Sequence, residues 1–133
     1  MKKKMIWAVL AIMVLIFASC GTTDANNPRD SINWAGLYTG VIPAASSPGI
    51  NAEITLNSDN TYKVIYQYIN RSTDTFIYNG NFKWNRKGDT ITLNTKEIPP
   101  HYRVEGNRLI QLDLRGNVIT GDLANNYILT KKP

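Results

Sequence analysis

The chain has 133 residues, which is enough for one domain with a hydrophobic core of its own. Fifteen basic and ten acidic side chains give a formal charge of +5, but without the three lysines at positions 2–4 the charge falls to +2. A charge this small, and spread along the chain, argues against a nucleic-acid-binding surface, and the single cysteine excludes an internal disulfide.

The N-terminus has the pattern of an export signal. After the lysines at 2–4 comes an uninterrupted apolar run at 5–18, shorter than the roughly 20 residues that a membrane-spanning helix needs. The run ends in Phe17-Ala18-Ser19-Cys20. This ending resembles the lipobox of bacterial lipoproteins, which implies cleavage between Ser19 and Cys20 and acylation of Cys20 with chains such as palmitate. We therefore predict a lipoprotein signal peptide at 1–19.

Residues 20–33 are polar and rich in turn-forming residues, without apolar periodicity. We predict a flexible tether here, which connects a lipidated Cys20 to a domain at 34–133. Two or more acyl chains hold a protein stably on a membrane, whereas one chain binds only marginally. The predicted partner of the N-terminus is therefore a membrane, contacted through lipid.

From Trp34 onward the apolar period is two, as in β-strands with one buried face. Ile50–Leu56 is the clearest example, and similar alternation recurs near 76–84, 91–93, 102–104, 110–114 and 127–129. Clusters of turn-forming residues separate these segments at intervals of about 8–12 residues, which is typical of an antiparallel meander. We predict an all-β domain of about eight strands. These strands could form a sandwich or an up-and-down barrel, and the meander order favours the barrel because closure removes the exposed edges of a sheet.

Aromatic side chains share strand faces in the middle of this domain. Tyr62, Tyr66, Tyr78 and Phe82 are the residues that would line the interior. They fit a packed core with its hydroxyl groups at the rim. The packed core is the favoured interpretation, and the alternative is an amphipathic cavity for a small apolar ligand, since eight-stranded barrels can hold one.

Several short motifs occur in an order typical of one family. They are Trp34–Gly40 (WAGLYTG), Pro48–Ile50 (PGI), Ala52–Leu56 (AEITL), Tyr78–Trp84 (YNGNFKW) and Tyr127–Leu129 (YIL). In these motifs the domain resembles the N-terminal domain of the NlpE family of copper-resistance and envelope-stress lipoproteins. The resemblance implies a lipocalin-like barrel, a place on the periplasmic face of the outer membrane, and an envelope protein such as the periplasmic domain of a sensor kinase as partner.

The chain departs from this family where metal chemistry would be expected. Family members typically carry Pro-Cys-x-x-Cys-Pro-Gly-Ile, but here Ala44 and Ser47 occupy the two cysteine positions. Copper(I) prefers thiolate and thioether ligands, which neither side chain supplies. All three methionines lie in the predicted signal peptide, so we predict no metal site and no cofactor.

No catalytic motif is recognisable. His101 is the only histidine, and Glu53 and Asp113 fall on polar strand faces without a paired carboxylate. We therefore predict a protein that is not an enzyme. The first hypothesis is an envelope lipoprotein that acts as a non-catalytic binding or stress-surveillance module, and the alternative is a lipocalin-like carrier of a small apolar ligand.

Overall fold

The structure, a computed structural model, describes residues 33–45, 47–70 and 75–133. The predicted signal peptide at 1–19, Cys20 and the tether up to residue 32 lie outside the described residues. Within the part described, no helix is both long and apolar enough to cross a membrane. The strands are β1 (Gly36–Ile42), β2 (Ile50–Leu56), β3 (Thr61–Tyr68), β4 (Thr75–Trp84), β5 (Thr90–Leu93), β6 (His101–Glu105), β7 (Arg108–Gln111) and β8 (Ile128–Lys131), with a short 3-10 helix at Ala124–Tyr127.

The eight strands form one closed barrel. Each strand pairs antiparallel with the next, and β8 returns to pair with β1 through Tyr38↔Lys131 and Thr39↔Thr130. The prediction of an all-β antiparallel meander barrel is therefore confirmed. Closure also gives the first and last strands of the meander a backbone partner, so neither is an exposed edge.

Alternation along the strands places the core inside the barrel. In β2 the side chains of Ile50, Ala52, Ile54 and Leu56 are buried, while Asn51 and Glu53 are exposed. Branched aliphatic residues suit such positions because they pack well on a pleated surface. The remaining strands contribute tyrosine, phenylalanine, valine and leucine to the same core cluster.

The two ends of the barrel differ in character. Trp34, Phe82 and Trp84 form a T-shaped aromatic cluster with ring centroids 5.2–6.0 Å apart. This cluster fills one end, called here the base, where the turns at 57–60, 85–89 and 106–107 also lie. The opposite end, the mouth, carries the connections 43–49, 94–100 and 112–127, because alternate connections of an antiparallel meander fall at the same end.

Strand β7 corrects one detail of the sequence analysis. The pattern there suggests that Ile110, Leu112 and Leu114 share an inward face. Leu112 is buried as expected, but within β7 the buried residues are Leu109 and Gln111, and Leu114 is exposed. The cause is the two-residue turn at 106–107, which pairs Glu105 with Arg108 and so fixes the register of the hairpin. Ile110 consequently lies on the outer face.

Candidate functional site

The mouth of the barrel is lined by aromatic side chains that are partly open to solvent. Tyr66 of β3 and Phe76 of β4 are direct cross-strand neighbours on the interior face, yet Tyr66 is buried and Phe76 is 43% exposed. The rings form two T-shaped pairs, Tyr66–Tyr78 at 5.9 Å and Tyr68–Phe76 at 5.7 Å between centroids. The interior near the mouth is thus an aromatic surface that solvent can reach.

Three buried polar atoms inside the barrel lack a hydrogen-bond partner among the described residues: the hydroxyls of Tyr66 and Tyr102, and Oε1 of Gln111. Tyr102 and Gln111 lie opposite each other on β6 and β7, both facing inward. An unsatisfied buried polar group costs about 1–3 kcal/mol, and native proteins carry few of them. A further hydrogen-bonding group at these three atoms would therefore stabilise the barrel.

Two other buried atoms are unpaired in the described structure, but they lie elsewhere. Nε1 of Trp84 belongs to the aromatic cluster at the base, and Nε of Arg103 belongs to the outward-facing position between Tyr102 and Val104. Neither is on the interior surface near the mouth. Of the unpaired atoms in the described residues, only those of Tyr66, Tyr102 and Gln111 therefore lie together in the interior near the mouth.

The phenols near the mouth stay protonated at neutral pH. Burial raises the pKa of Tyr66 and raises that of Tyr102 well above its ordinary value, and the two neighbouring hydroxyls also shift each other's pKa. Burial likewise raises the pKa of Tyr62 and Tyr78, with a further contribution from the Glu97 carboxylate. The interior therefore presents neutral hydroxyl groups, and the Glu97 carboxylate acts on those of Tyr62 and Tyr78.

The four predicted lining residues divide between the two ends. Tyr62 and Tyr66 are buried on the interior face of β3, and Tyr78 is half-buried in ring contact with Tyr66. Phe82 points inward as well, but it packs on the tryptophans of the base. The sequence analysis did not single out Tyr102 or Gln111.

The loop at the degenerate cysteine positions has structural contacts of its own. Ala44 is half-buried and packs against the core, while the Ser47 hydroxyl donates to the Gly49 carbonyl at 2.8 Å and accepts the Gly49 N–H at 3.3 Å. The loop forms one wall of an open groove of about 410 Å³ on the outside of the mouth, lined by Val41, Ile42, Pro43, Ala44, Pro48, Leu123 and Asn126. This lining is mostly apolar and holds neither sulfur nor an ionisable side chain.

The candidate catalytic groups do not share a cleft. The His101 ring nitrogen Nδ1 lies 3.0 Å from the Thr92 hydroxyl on the outer face. Asp113 accepts backbone N–H groups in a turn, chiefly that of Asn117, and these bonds lower the pKa of its carboxyl. Glu53 is exposed on β2. Across the residues described, no three potential metal-ligating side chains come together.

Comparison with known proteins gives consistent matches. The family model for the NlpE N-terminal domain matches residues 38–122. Lipoprotein NlpE of Escherichia coli K12 is 25% identical over 135 aligned residues, which cover 96% of this chain and 56% of that protein. The chain thus spans just over half the length of this curated relative.

Solved structures agree with the family match. A putative lipoprotein from Shewanella oneidensis is 38% identical with a TM-score of 0.74, and the match covers 80% of this chain and 96% of that one. The Cpx pathway activator NlpE from Escherichia coli is 25% identical with a TM-score of 0.56, over 68% of this chain and 48% of that one. Both relatives therefore share the barrel.

Proposed function

Because the chain belongs to the NlpE N-terminal domain family, we propose that it is an envelope lipoprotein whose barrel serves as a non-catalytic binding module in stress surveillance. The family match over most of the barrel carries this proposal. The Escherichia coli relative NlpE is named both a lipoprotein and an activator of the Cpx pathway, which supports it. The separation of His101, Glu53 and Asp113 supports a role without catalysis.

The proposed anchor is a lipidated Cys20 on the periplasmic face of the outer membrane. Its sequence context, an apolar run that ends in Ala18-Ser19-Cys20, supports cleavage after Ser19. Intact-mass analysis of protein purified from native membranes is expected to show a chain that begins at Cys20 and carries acyl groups. Membrane fractionation of the same cells is expected to place it in the outer membrane.

A variant pair tests the anchor directly. Cys20→Ala is expected to accumulate as an uncleaved, unacylated precursor, because both steps need the thiol. Thr22→Ala, two residues further along the chain, is the matched control and is expected to be processed normally. A mature, membrane-bound Cys20→Ala protein would refute the anchor.

The proposed partner is an envelope protein, such as the periplasmic domain of a sensor kinase. The open apolar groove at the mouth supports a protein contact, because Val41 and Leu123 on its wall are both more than half exposed. A photo-crosslinking residue at Leu123 is expected to capture one envelope protein reproducibly. The same residue at Lys87, an exposed position at the base, is the control. Equal capture at the two positions would contradict the proposed surface.

A further inference from the structure

The three unpaired polar atoms inside the barrel point to a ligand. We propose that the interior near the mouth binds one small, uncharged amphipathic molecule, whose hydroxyl-like polar group is held by Tyr66, Tyr102 and Gln111. This inference goes beyond the surveillance role, and it turns the carrier hypothesis into a specific site. It rests on the unpaired atoms, the aromatic lining and the solvent exposure of the Phe76 ring.

The polar atoms define the head of the ligand. Gln111 Oε1 only accepts hydrogen bonds, whereas the tyrosine hydroxyls can donate and accept. An alcohol or phenol hydroxyl can donate a hydrogen bond to Gln111 Oε1 and accept one from a tyrosine hydroxyl, so one ligand group can pair with two of these atoms. A pure hydrocarbon leaves all three atoms unpaired, so the interior favours a ligand with a hydroxyl-like group over one without it.

The charges define what the head cannot be. Every residue of the buried core cluster is uncharged, and the charged group that acts on the phenols of Tyr62 and Tyr78 is the Glu97 carboxylate. An anionic head would lose its hydration among the uncharged residues of the core cluster and would be repelled by the Glu97 carboxylate. The site therefore selects a neutral head over a carboxylate.

The walls define the body of the ligand. T-shaped pairs of Tyr66 with Tyr78 and of Tyr68 with Phe76 offer ring faces and edges to a flat apolar group. Ala52, directly across from Tyr66 on β2, is the smallest inward side chain of that strand, so this wall carries little side-chain bulk beside the tyrosine. An eight-stranded barrel holds at most one small ligand, so the body is about one or two rings in size.

Three matched probes test the proposal: 1-naphthol, naphthalene and 1-naphthoate. They are titrated into the barrel at 33–133, which contains all eight strands, the closing β1–β8 pair and the core. The Shewanella oneidensis structure, 96% of which is covered by the match, shows that such a barrel folds without a second domain. We expect saturable binding of 1-naphthol at one equivalent, at least tenfold tighter than that of naphthalene or 1-naphthoate.

Single substitutions assign the head site. Gln111→Met and Tyr102→Phe keep the shape of the side chain and remove the polar atom, and each is expected to weaken 1-naphthol binding about tenfold without changing naphthalene binding. Tyr38→Phe is the matched control, because its hydroxyl is bonded to the Trp34 carbonyl at the base. It is expected to leave the affinity for 1-naphthol unchanged.

A second variant tests the body site without touching the polar atoms. Ala52→Leu adds bulk directly across from Tyr66 and is expected to weaken 1-naphthol and naphthalene binding together. Affinities are compared among the variants that retain a cooperative melting transition. The proposal is overturned if 1-naphthol does not saturate the folded barrel, if naphthalene or 1-naphthoate binds as tightly, or if the head-site variants bind like the parent. Since the barrel is tested without its N-terminal segment, such a failure leaves the proposed anchor and partner untouched.

Discussion

Two tyrosines in the core allow a test in which the same substitution has opposite effects. The rings of Tyr38 and Tyr102 are both completely buried. The Tyr38 hydroxyl donates a 2.6 Å hydrogen bond to the Trp34 carbonyl, whereas the Tyr102 hydroxyl has no partner in the described structure. Replacement of each by phenylalanine removes one hydroxyl oxygen from a buried ring, and the hydroxyl that is removed is hydrogen-bonded to the backbone only at Tyr38.

The expected magnitudes follow from this difference. Loss of a made hydrogen bond costs about 1 kcal/mol, so Tyr38→Phe is expected to lower the free energy of unfolding by that amount. Tyr102→Phe removes a hydroxyl buried without a partner and is expected to raise it by about 1 kcal/mol. For a domain of about 100 residues, 1 kcal/mol corresponds to a shift of about 4–8 °C in melting temperature.

Urea unfolding measures both variants against the parent. The midpoints are expected to move in opposite directions with unchanged m-values, which shows that stability changed and not the compactness of the denatured state. Equal destabilisation by the two substitutions would refute the reasoning. It would mean that the Tyr102 hydroxyl is already satisfied in the unliganded barrel, as by an ordered water.

The other predictions concern packing, pH and metal. Gly80→Ala is expected to destabilise the barrel by about 1–3 kcal/mol, measured by urea unfolding, because a Cβ there would lie 2.9 Å from the Tyr62 hydroxyl; an unchanged midpoint would show that the ring moves freely. Burial raises the pKa of Tyr38 from 10.0 to about 12, and it raises those of the other interior tyrosines. The unfolded chain therefore releases these protons first, so melting temperatures are expected to fall as the pH rises above 10, and a flat profile up to pH 12 would contradict this. The parent chain is expected to bind no copper(I) tightly in competition with a chelator, whereas Ala44→Cys with Ser47→Cys is expected to bind one equivalent; nanomolar affinity in the parent would refute the argument from ligand chemistry.

The fold was predictable because its signals are local. Strict alternation in Ile50–Leu56 and turn clusters at regular spacing indicate an antiparallel meander, and each hairpin needs only neighbouring segments to form. The face of β7 was not predictable from alternation. Ile110 and Leu112 fit one face as well as Leu109 and Gln111 fit the other, and the short turn before Arg108 decides between them.

The site was predictable only in part, for a related reason. Tyr66 and Tyr78 lie on adjacent strands of one hairpin, so their shared face can be read from the sequence. Whether a residue has an odd or even position in a strand indicates which face of the sheet it lies on, but not its level along the barrel axis. Phe82 therefore shares the interior face with Tyr66 and Tyr78 and still packs at the base. Tyr102 and Gln111 reach the same interior from β6 and β7, and only closure of the barrel brings them there.

The contacts of the loop at 43–49 explain how the barrel can keep its shape without the family's cysteines. The Ala44 methyl packs against the core, and the Ser47 hydroxyl closes a small turn with both polar backbone groups of Gly49. Each residue thus supports the loop with contacts that need no sulfur and no bound metal. The mouth has an apolar groove on its outside, which suits recognition by shape. On its inside it has neutral phenol groups, which suit recognition by hydrogen bonding. The chemistry of this barrel is therefore expected to depend on what it binds there and not on metal or thiol reactions.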